Sequence, residues 1–392
     1  MKSKVSIVVS DLSSSGSGRW GGAVRPFLLY QALKKLNYEV EIVGFVPVEN
    51  GDSPPDSNIP KVYVNSYNYP RFIGSVNQLI KKINGDIIYA SKLKPTSFGT
   101  ALIKKLQSRC PVILDIDDWE LSWHGGDNYQ YRPGLKQFAR DILKSNGALR
   151  NPDHPLYLKW IEGLVPYADA VTTHTQFMQE RFGGVYVPNG KDTSLFDPSQ
   201  YDSEKSRLHY GLSEYRILMF PGAPRPYKGL EDVLMALDIL NQPDLRLVIV
   251  GGSPYDDYDN QLIQKWGRWI IKLPKSPVKE MPQIVSAAHI VVVPQRDTPA
   301  AKAQFPLKLT DGMAMAKPIL TTQVGDIPEI LGGTGSLVEP SSPQQIAEKI
   351  QWIFEHWEEA NKRGKKARER CVELYSIEAM AGILSNIIVS LN

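Results

Sequence analysis

A chain of 392 residues, 42% hydrophobic and 22% charged, has an ordinary soluble composition and is too long for one core, so two domains of about 200 residues are expected. Its net charge of +3 is divided unevenly: residues 1–191 carry 23 Lys/Arg against 17 Asp/Glu, and residues 192–392 carry 22 against 25. Two cysteines, Cys110 and Cys371, exclude a disulfide framework or a cysteine-based metal site, and no apolar run reaches the length of a signal or membrane segment, so a cytoplasmic protein is expected. The basic first half suits an anionic lipid surface or an acidic acceptor, and equally a plain solvated surface.

Taken in order, the pattern alternates strand and helix. Strands are expected at 4–10, 39–45, 61–64, 86–90, 111–116 and 170–174, with helices at 24–36, 72–83, 97–107 and 156–165. Residues 47–60 read as a loop, and 120–153 as an irregular polar and aromatic stretch. After 185–188, the turn-rich stretch 189–203 reads as a linker.

A second alternating series follows, with strands at 216–220, 245–250, 270–273, 290–293 and 319–322. Helices are expected at 229–240, 257–269, 279–287, 307–315, 343–357 and 358–375, and a last apolar helix at 377–391. Two parallel-sheet domains of this kind place ligands beyond the carboxyl ends of their strands.

Four stretches carry chemistry. Gly16-Ser-Gly18-Arg-Trp-Gly21 formally matches a dinucleotide fingerprint, but strand two ends Val43-Gly44-Phe45 without the carboxylate that a ribose needs. Gly21 and Gly22 are better read as letting the backbone approach a ligand at the start of the first helix. In 220–229, Arg225 and Lys228 precede a helix start, where basic residues are otherwise unfavourable, so a diphosphate is the expected guest. Lys308 and Asp311 lie near the start of the 307–315 helix, with Asp311 placed to accept from two ribose hydroxyls. The acidic cluster Asp115, Asp117, Asp118 and Glu120, followed by Trp119, Trp123 and His124, suits a cation or a polyhydroxyl ring; a solvated loop is the plain alternative. No zinc pattern, nucleophile elbow or P-loop lysine is present.

In this order, the segments resemble the retaining glycosyltransferases of the family 4 type. The resemblance rests on Gly21-Gly22; on 168–174 with 187–190; on Gly222 through Lys228-Gly229; on 245–252; and on 305–314 with 325–329. It implies a GT-B fold: an acceptor-binding Rossmann-like domain at 1–190, a donor-binding one at 204–375, and a C-terminal helix, 376–392, returning to the first. It further implies a nucleotide-diphospho-sugar donor, a sugar, lipid or small-molecule acceptor, and no metal, cofactor or nucleic acid. UDP is among the expected donor nucleotides, and polysaccharide biosynthesis among the settings.

By the resemblance, the donor meets Gly21, Gly22, Gly222, Arg225, Lys228, Leu273, Pro306, Leu307, Lys308, Leu309 and Asp311. From the residues themselves, an acceptor is expected at Arg19, Trp20, Trp119, Trp123 and His124, and Asp117 or Asp118, singled out by their clustering, is expected to act in catalysis with Arg225 and Lys228. Two departures stand out. The family's partner glutamate, eight positions before Asp311, is Ala303 here, with Asp297, Gln304 or a backbone amide as stand-ins, and the usual His-Asp is Asp117-Asp118. An epimerase or hydrolase of the same fold, or a non-catalytic binder of nucleotide sugars, are the competing readings. Peripheral contact with the inner face of a membrane is a further expectation, through 67–83 or 266–275.

Overall fold

The computed structural model describes residues 3–13, 16, 25–48, 59–253 and 256–391. The chain divides into two compact units, Met1–Pro188 with Met380–Asn392, and Asn189–Ala379.

The first unit runs β1 (Lys4–Val9), α1 (Arg25–Lys35), β2 (Glu39–Pro47), β3 (Lys61–Ser66), α2 (Phe72–Lys82), β4 (Ile87–Ser91), α3 (Thr100–Ser108) and β5 (Val112–Ile116). It continues with α4 (Leu135–Leu143), α5 (Pro155–Glu162), β6 (Ala170–Thr173), α6 (Gln176–Phe182) and β7 (Val185–Tyr186). The seven strands form one parallel sheet in the order β3-β2-β1-β4-β5-β6-β7. Strands β4 and β5 are buried along their whole length, which is why their sequences are apolar runs rather than alternations.

The second unit holds α7 (Ser203–His209), β8 (Arg216–Phe220), α8 (Leu230–Leu240), β9 (Leu245–Val250), α9 (Tyr258–Trp266), β10 (Ile270–Leu273), α10 (Met281–Ser286) and β11 (Ile290–Val293). Then come α11 (Pro299–Lys302), α12 (Leu307–Ala314), β12 (Ile319–Thr322), α13 (Ile327–Leu331), β13 (Ser336–Val338), α14 (Pro343–Glu355) and α15 (Trp357–Leu374). The last helix, α16 (Ile377–Val389), begins in this unit, and its residues from Met380 onward group with the first.

The six strands are parallel in the order β10-β9-β8-β11-β12-β13. Alternate residues of β8 feed two cores, Ile217 and Met219 on one face and Leu218 and Phe220 on the other. Because β8 lies between β9 and β11, the loops after β8 and β11 leave in opposite directions and open a crevice at the switch point.

Three expectations are corrected here. Residues 189–203 do not run as a loose linker: Lys191 bridges Ser376, its amide donates to Tyr375 O (2.7 Å), and Phe196 joins the second core. The 120–153 stretch contains a regular helix, α4. The apolar residues of 67–83 are largely core, since Phe72, Val76, Leu79, Ile80 and Ile83 are buried. Trp266 and Trp269 are buried as well, and both indoles donate to Asp238, at 2.8 Å each. No helix among the described residues is long and apolar enough to cross a membrane.

Candidate functional site

The crevice of the second unit is built by its own chain geometry. After β8 the backbone turns at Gly222, with φ +148°, and at Gly229, with φ +67°. A side chain on Gly229 would meet Pro294 O at 1.9 Å, so only glycine lets the 221–229 loop lie against the end of β11. Arg296 N donates to Tyr227 O (2.9 Å) and ties the two loops together.

This clamp brings Lys228, on the single turn Pro226–Lys228, beside Lys308 on α12. A carbon placed on Gly222 would lie 2.8 Å from Lys308 Cε and 3.2 Å from its Nζ, and the same Nζ sits 4.9 Å from the centre of the Phe220 ring. Two half-buried amines therefore meet side by side. Burial first, then Lys308 and Arg225, hold Lys228 well below the usual lysine range. Burial also lowers Lys308, against the pull of its bond to Lys228 and of Asp311. Arg225 approaches Asp256 at 3.7 Å. Adjacent like charges out of water oppose one another's ionisation, and an anion placed among Arg225, Lys228 and Lys308 would relieve that repulsion.

Asp311 is buried in the same helix and accepts from Lys191 Nζ, whose ammonium also lies 4.4 Å from the Phe196 ring centre. One carboxylate oxygen is thus engaged within the protein, and the ribose expectation for Asp311 must share it with Lys191. Leu273 and Leu309 belong to the core, as does Phe305, so the two leucines can offer a ligand only backbone groups. Pro306 is the residue before α12 and caps it without a side-chain hydrogen bond; Leu307 is partly buried against the core. Ala303 is fully buried. Of its expected stand-ins, Asp297 pairs with Lys302 (2.7 Å) and Gln304 accepts from Tyr227 Oη (3.0 Å).

In the first unit the acidic cluster does not act as one group. Asp115 is fully buried and gripped by Arg25, whose Nε and Nη2 donate to it at 2.9 and 2.8 Å. Thr172 Oγ1 donates to the same carboxylate (2.7 Å), and Arg25 Nη1 donates to Val187 O (2.8 Å). That carboxylate is structural. Glu120 lies between Lys92 (2.6 Å) and Lys94 (3.1 Å); burial would raise its pKa, but the two ammoniums bring it down to about 2.

Asp117 and Asp118 remain at the mouth of the cluster. Burial raises both, opposed by Lys92 and reinforced by neighbouring carboxylates, and Asp118 reaches about 6. Trp123 Nε1 donates to Asp118 Oδ2 (3.1 Å) while its ring is 42% exposed, so this tryptophan presents a flat face. Trp119 does not: it is buried, bonded to Glu162 (3.0 Å) and covered by Arg181, whose guanidinium is 3.9 Å from the ring centre. His124 is exposed at the end of the Glu120–His124 turn.

Sequence reasoning missed Lys92, Lys94, Arg25 and Lys191. Lys92 carries one visible oddity, φ +80°, held by Lys92 N donating to Asp115 O (2.9 Å) and Ser97 Oγ donating to Lys92 O (2.6 Å). Arg19, Trp20, Gly21 and Gly22 lie outside the described residues. Among the described residues, no group of three or more His, Cys, Asp or Glu could hold a metal ion.

Residues 202–370 match the model of the family described as glycosyl transferases group 1. Over 298 residues the chain is 28% identical to the D-rhamnosyltransferase WbpZ of Pseudomonas aeruginosa, covering 73% of this chain and 76% of that protein. Over 391 residues it is 23% identical to the N-acetyl-alpha-D-glucosaminyl L-malate synthase of Bacillus anthracis, covering 96% and 94%. The crystal structure of Anabaena Alr3699/HepE in complex with UDP and glucose superposes with a TM-score of 0.74 at 17% identity, over 99% of this chain and 100% of that one. Residues 202–370 are thus similar to the glycosyl transferases of group 1, and the two Rossmann-like units share the GT-B fold of the Anabaena structure.

Proposed function

We propose that this chain moves a sugar from a nucleotide-diphospho-sugar to an acceptor hydroxyl with retention at the anomeric carbon and without a metal ion. The observation that carries the reading is the meeting of Lys228 and Lys308 beside Gly222, with Arg225 in the same loop. A diphosphate gains negative charge as the glycosidic bond to it breaks. These three cations would neutralise it where a metal ion otherwise serves, and one preorganised donor of this kind contributes about 3 kcal/mol in comparable sites. Partial burial of the amines reduces the hydration they must give up when the anion arrives.

In this reading the donor is bound within 204–375 and the acceptor within 1–190 with 376–392. Asp117 or Asp118 orients the acceptor hydroxyl or offsets positive charge on the sugar, and the departing phosphate takes the acceptor's proton on the same face. The UDP and glucose in the Anabaena structure favour UDP as the nucleotide. Glycan, glycolipid or glycoside synthesis in the cytoplasm, with peripheral contact at the inner face of a membrane, fits such a donor.

The test is a thermal-shift panel of UDP-, GDP-, ADP- and dTDP-sugars on the wild type and on Lys228→Ala. A ligand at 100 times its Kd adds ~2.7 kcal/mol of stability, so a single nucleotide shifting only the wild type supports the site. The anomeric configuration of the product, read by NMR, tests retention, and unchanged turnover in EDTA tests metal independence. Buried Ala303 favours one second reading, a nucleotide-sugar binder without transfer. Tight donor binding with no product across many acceptors would select it.

A further inference from the structure

Helix α4 is turned inside out. In a surface helix the apolar stripe normally faces the protein. Here the buried residue of the helix is Asp141, which accepts from Tyr131 Oη (2.8 Å), while Leu135 (90% exposed), Phe138 (44%), Ile142 (42%) and Leu143 (74%) face solvent. At about 100° per residue, Phe138, Ile142, Leu135, Ala139 and Leu143 fall on one continuous arc. Lys136 and Arg140 border that arc, and Arg132 and Lys144 extend the same row to either side of the helix. Between 129 and 147 the only acid is Asp141, which points inward and lies 3.6 Å from Arg140 Nε, while the Arg140 side chain stays 56% exposed. The segment is fixed to the unit: Arg150 Nε donates to Ile142 O (2.9 Å), and the Tyr131 ring meets His154, at the start of α5, at 5.3 Å.

We infer that α4 docks the first unit onto an anionic lipid bilayer, with its apolar arc in the interface and its basic row on the headgroups. An exposed apolar arc of this size needs a cover. The four cations at 132, 136, 140 and 144 select an anionic surface, and long basic side chains beside an apolar stripe reach headgroups while their stems stay in the interface. This names the surface behind the peripheral contact proposed above and rests on that part of the reading only, because docking needs neither donor nor acceptor.

The experiment is co-sedimentation of the full chain with phosphatidylglycerol-containing vesicles and with pure phosphatidylcholine vesicles, at low and high salt and without nucleotide. Binding to the anionic vesicles alone, released by salt, is expected. Lys136→Glu/Arg140→Glu should weaken partitioning at least on the order of thirtyfold. Leu135→Ser/Phe138→Ser should weaken it comparably, while Leu106→Ser, on exposed α3, should leave it unchanged. All these side chains are exposed, and unchanged melting temperatures would show that the variants fold. Three results would overturn the inference: no binding to anionic vesicles at low salt, binding indifferent to the α4 substitutions, or a self-association in lipid-free solution that Phe138→Ser abolishes. A glycosyltransferase that turned over normally while failing every vesicle test would lose this surface and keep its reaction.

Discussion

Lys191 and Asp311 form an ion pair inside the second unit, both side chains about 12% exposed, although 120 positions separate them. The pair fastens the segment entering the unit to helix α12, so the carboxylate expected to meet a ribose is first of all a structural anchor. Removing one partner of a buried pair strands the other. Lys191→Met and Asp311→Asn should each lose about 3 kcal/mol in a urea titration, with a double variant less damaged than the sum.

Lys228 works against the stability of the ligand-free protein. Its amine holds a proton up to about 10.5 in the unfolded chain and gives it up well below that in the folded one. Between those values the unfolded state binds more protons, so the cost grows as pH falls from 10.5 toward the folded value. Lys228→Met should therefore melt higher than the wild type at neutral pH and show no shift with any nucleotide sugar. Titration calorimetry in two buffers of different ionisation enthalpy should also detect proton uptake when the wild type binds its donor.

Asp118 should govern the acid limb of activity. Burial and its acidic neighbours lift it to about 6, so kcat/KM should fall as pH drops through that value if the ionised form orients the acceptor. Asp118→Asn should lower kcat/KM and flatten the limb. An acid limb of unchanged position in the variant would hand the role to Asp117.

Glu120 should set part of the acid stability. Its pKa, brought to about 2 between Lys92 and Lys94, lies below the ordinary 4.5, so its contribution is present above 4.5 and lost as pH falls toward 2. Glu120→Gln removes the carboxylate that Lys92 and Lys94 share, leaving Lys92 with Asp117 at 3.8 Å. The expected result is a lower denaturation midpoint at pH 7, with much less difference from wild type near pH 2.

Arg25 is placed to hold the first unit together rather than to touch a substrate. Arg25→Met would leave Asp115 buried without its cation and should cost about 3–5 kcal/mol, whereas Arg25→Met with Asp115→Leu should recover much of it. Circular dichroism melts of the three proteins would measure this.

What the sequence makes legible follows from locality. Strands β8, β9, β10, β11 and β12 were readable to the residue, because buried parallel strands are short apolar runs with turn residues at their ends. The cations at 225, 228 and 308 were legible too, since a basic residue at a helix start contradicts the local field. Long-range partners were not. Nothing around Arg25 announces Asp115, and nothing around Lys191 announces Asp311, because pairing across 90 or 120 positions is set by topology. Helix α4 was hidden for another reason: its apolar arc faces outward, and the polar, aromatic stretch around it masks the period.

All thirteen strands among the described residues run parallel to their neighbours, so each unit has one edge where strands end and one where they begin. Lys92, Asp117, Asp118, Glu120, Arg225 and Lys228 all follow strand ends. The opposite edge is therefore available for engineering. An epitope tag or fluorophore spliced in at 241–244, between α8 and the start of β9 where Asn241 already takes a left-handed turn, should report on the molecule without disturbing its chemistry.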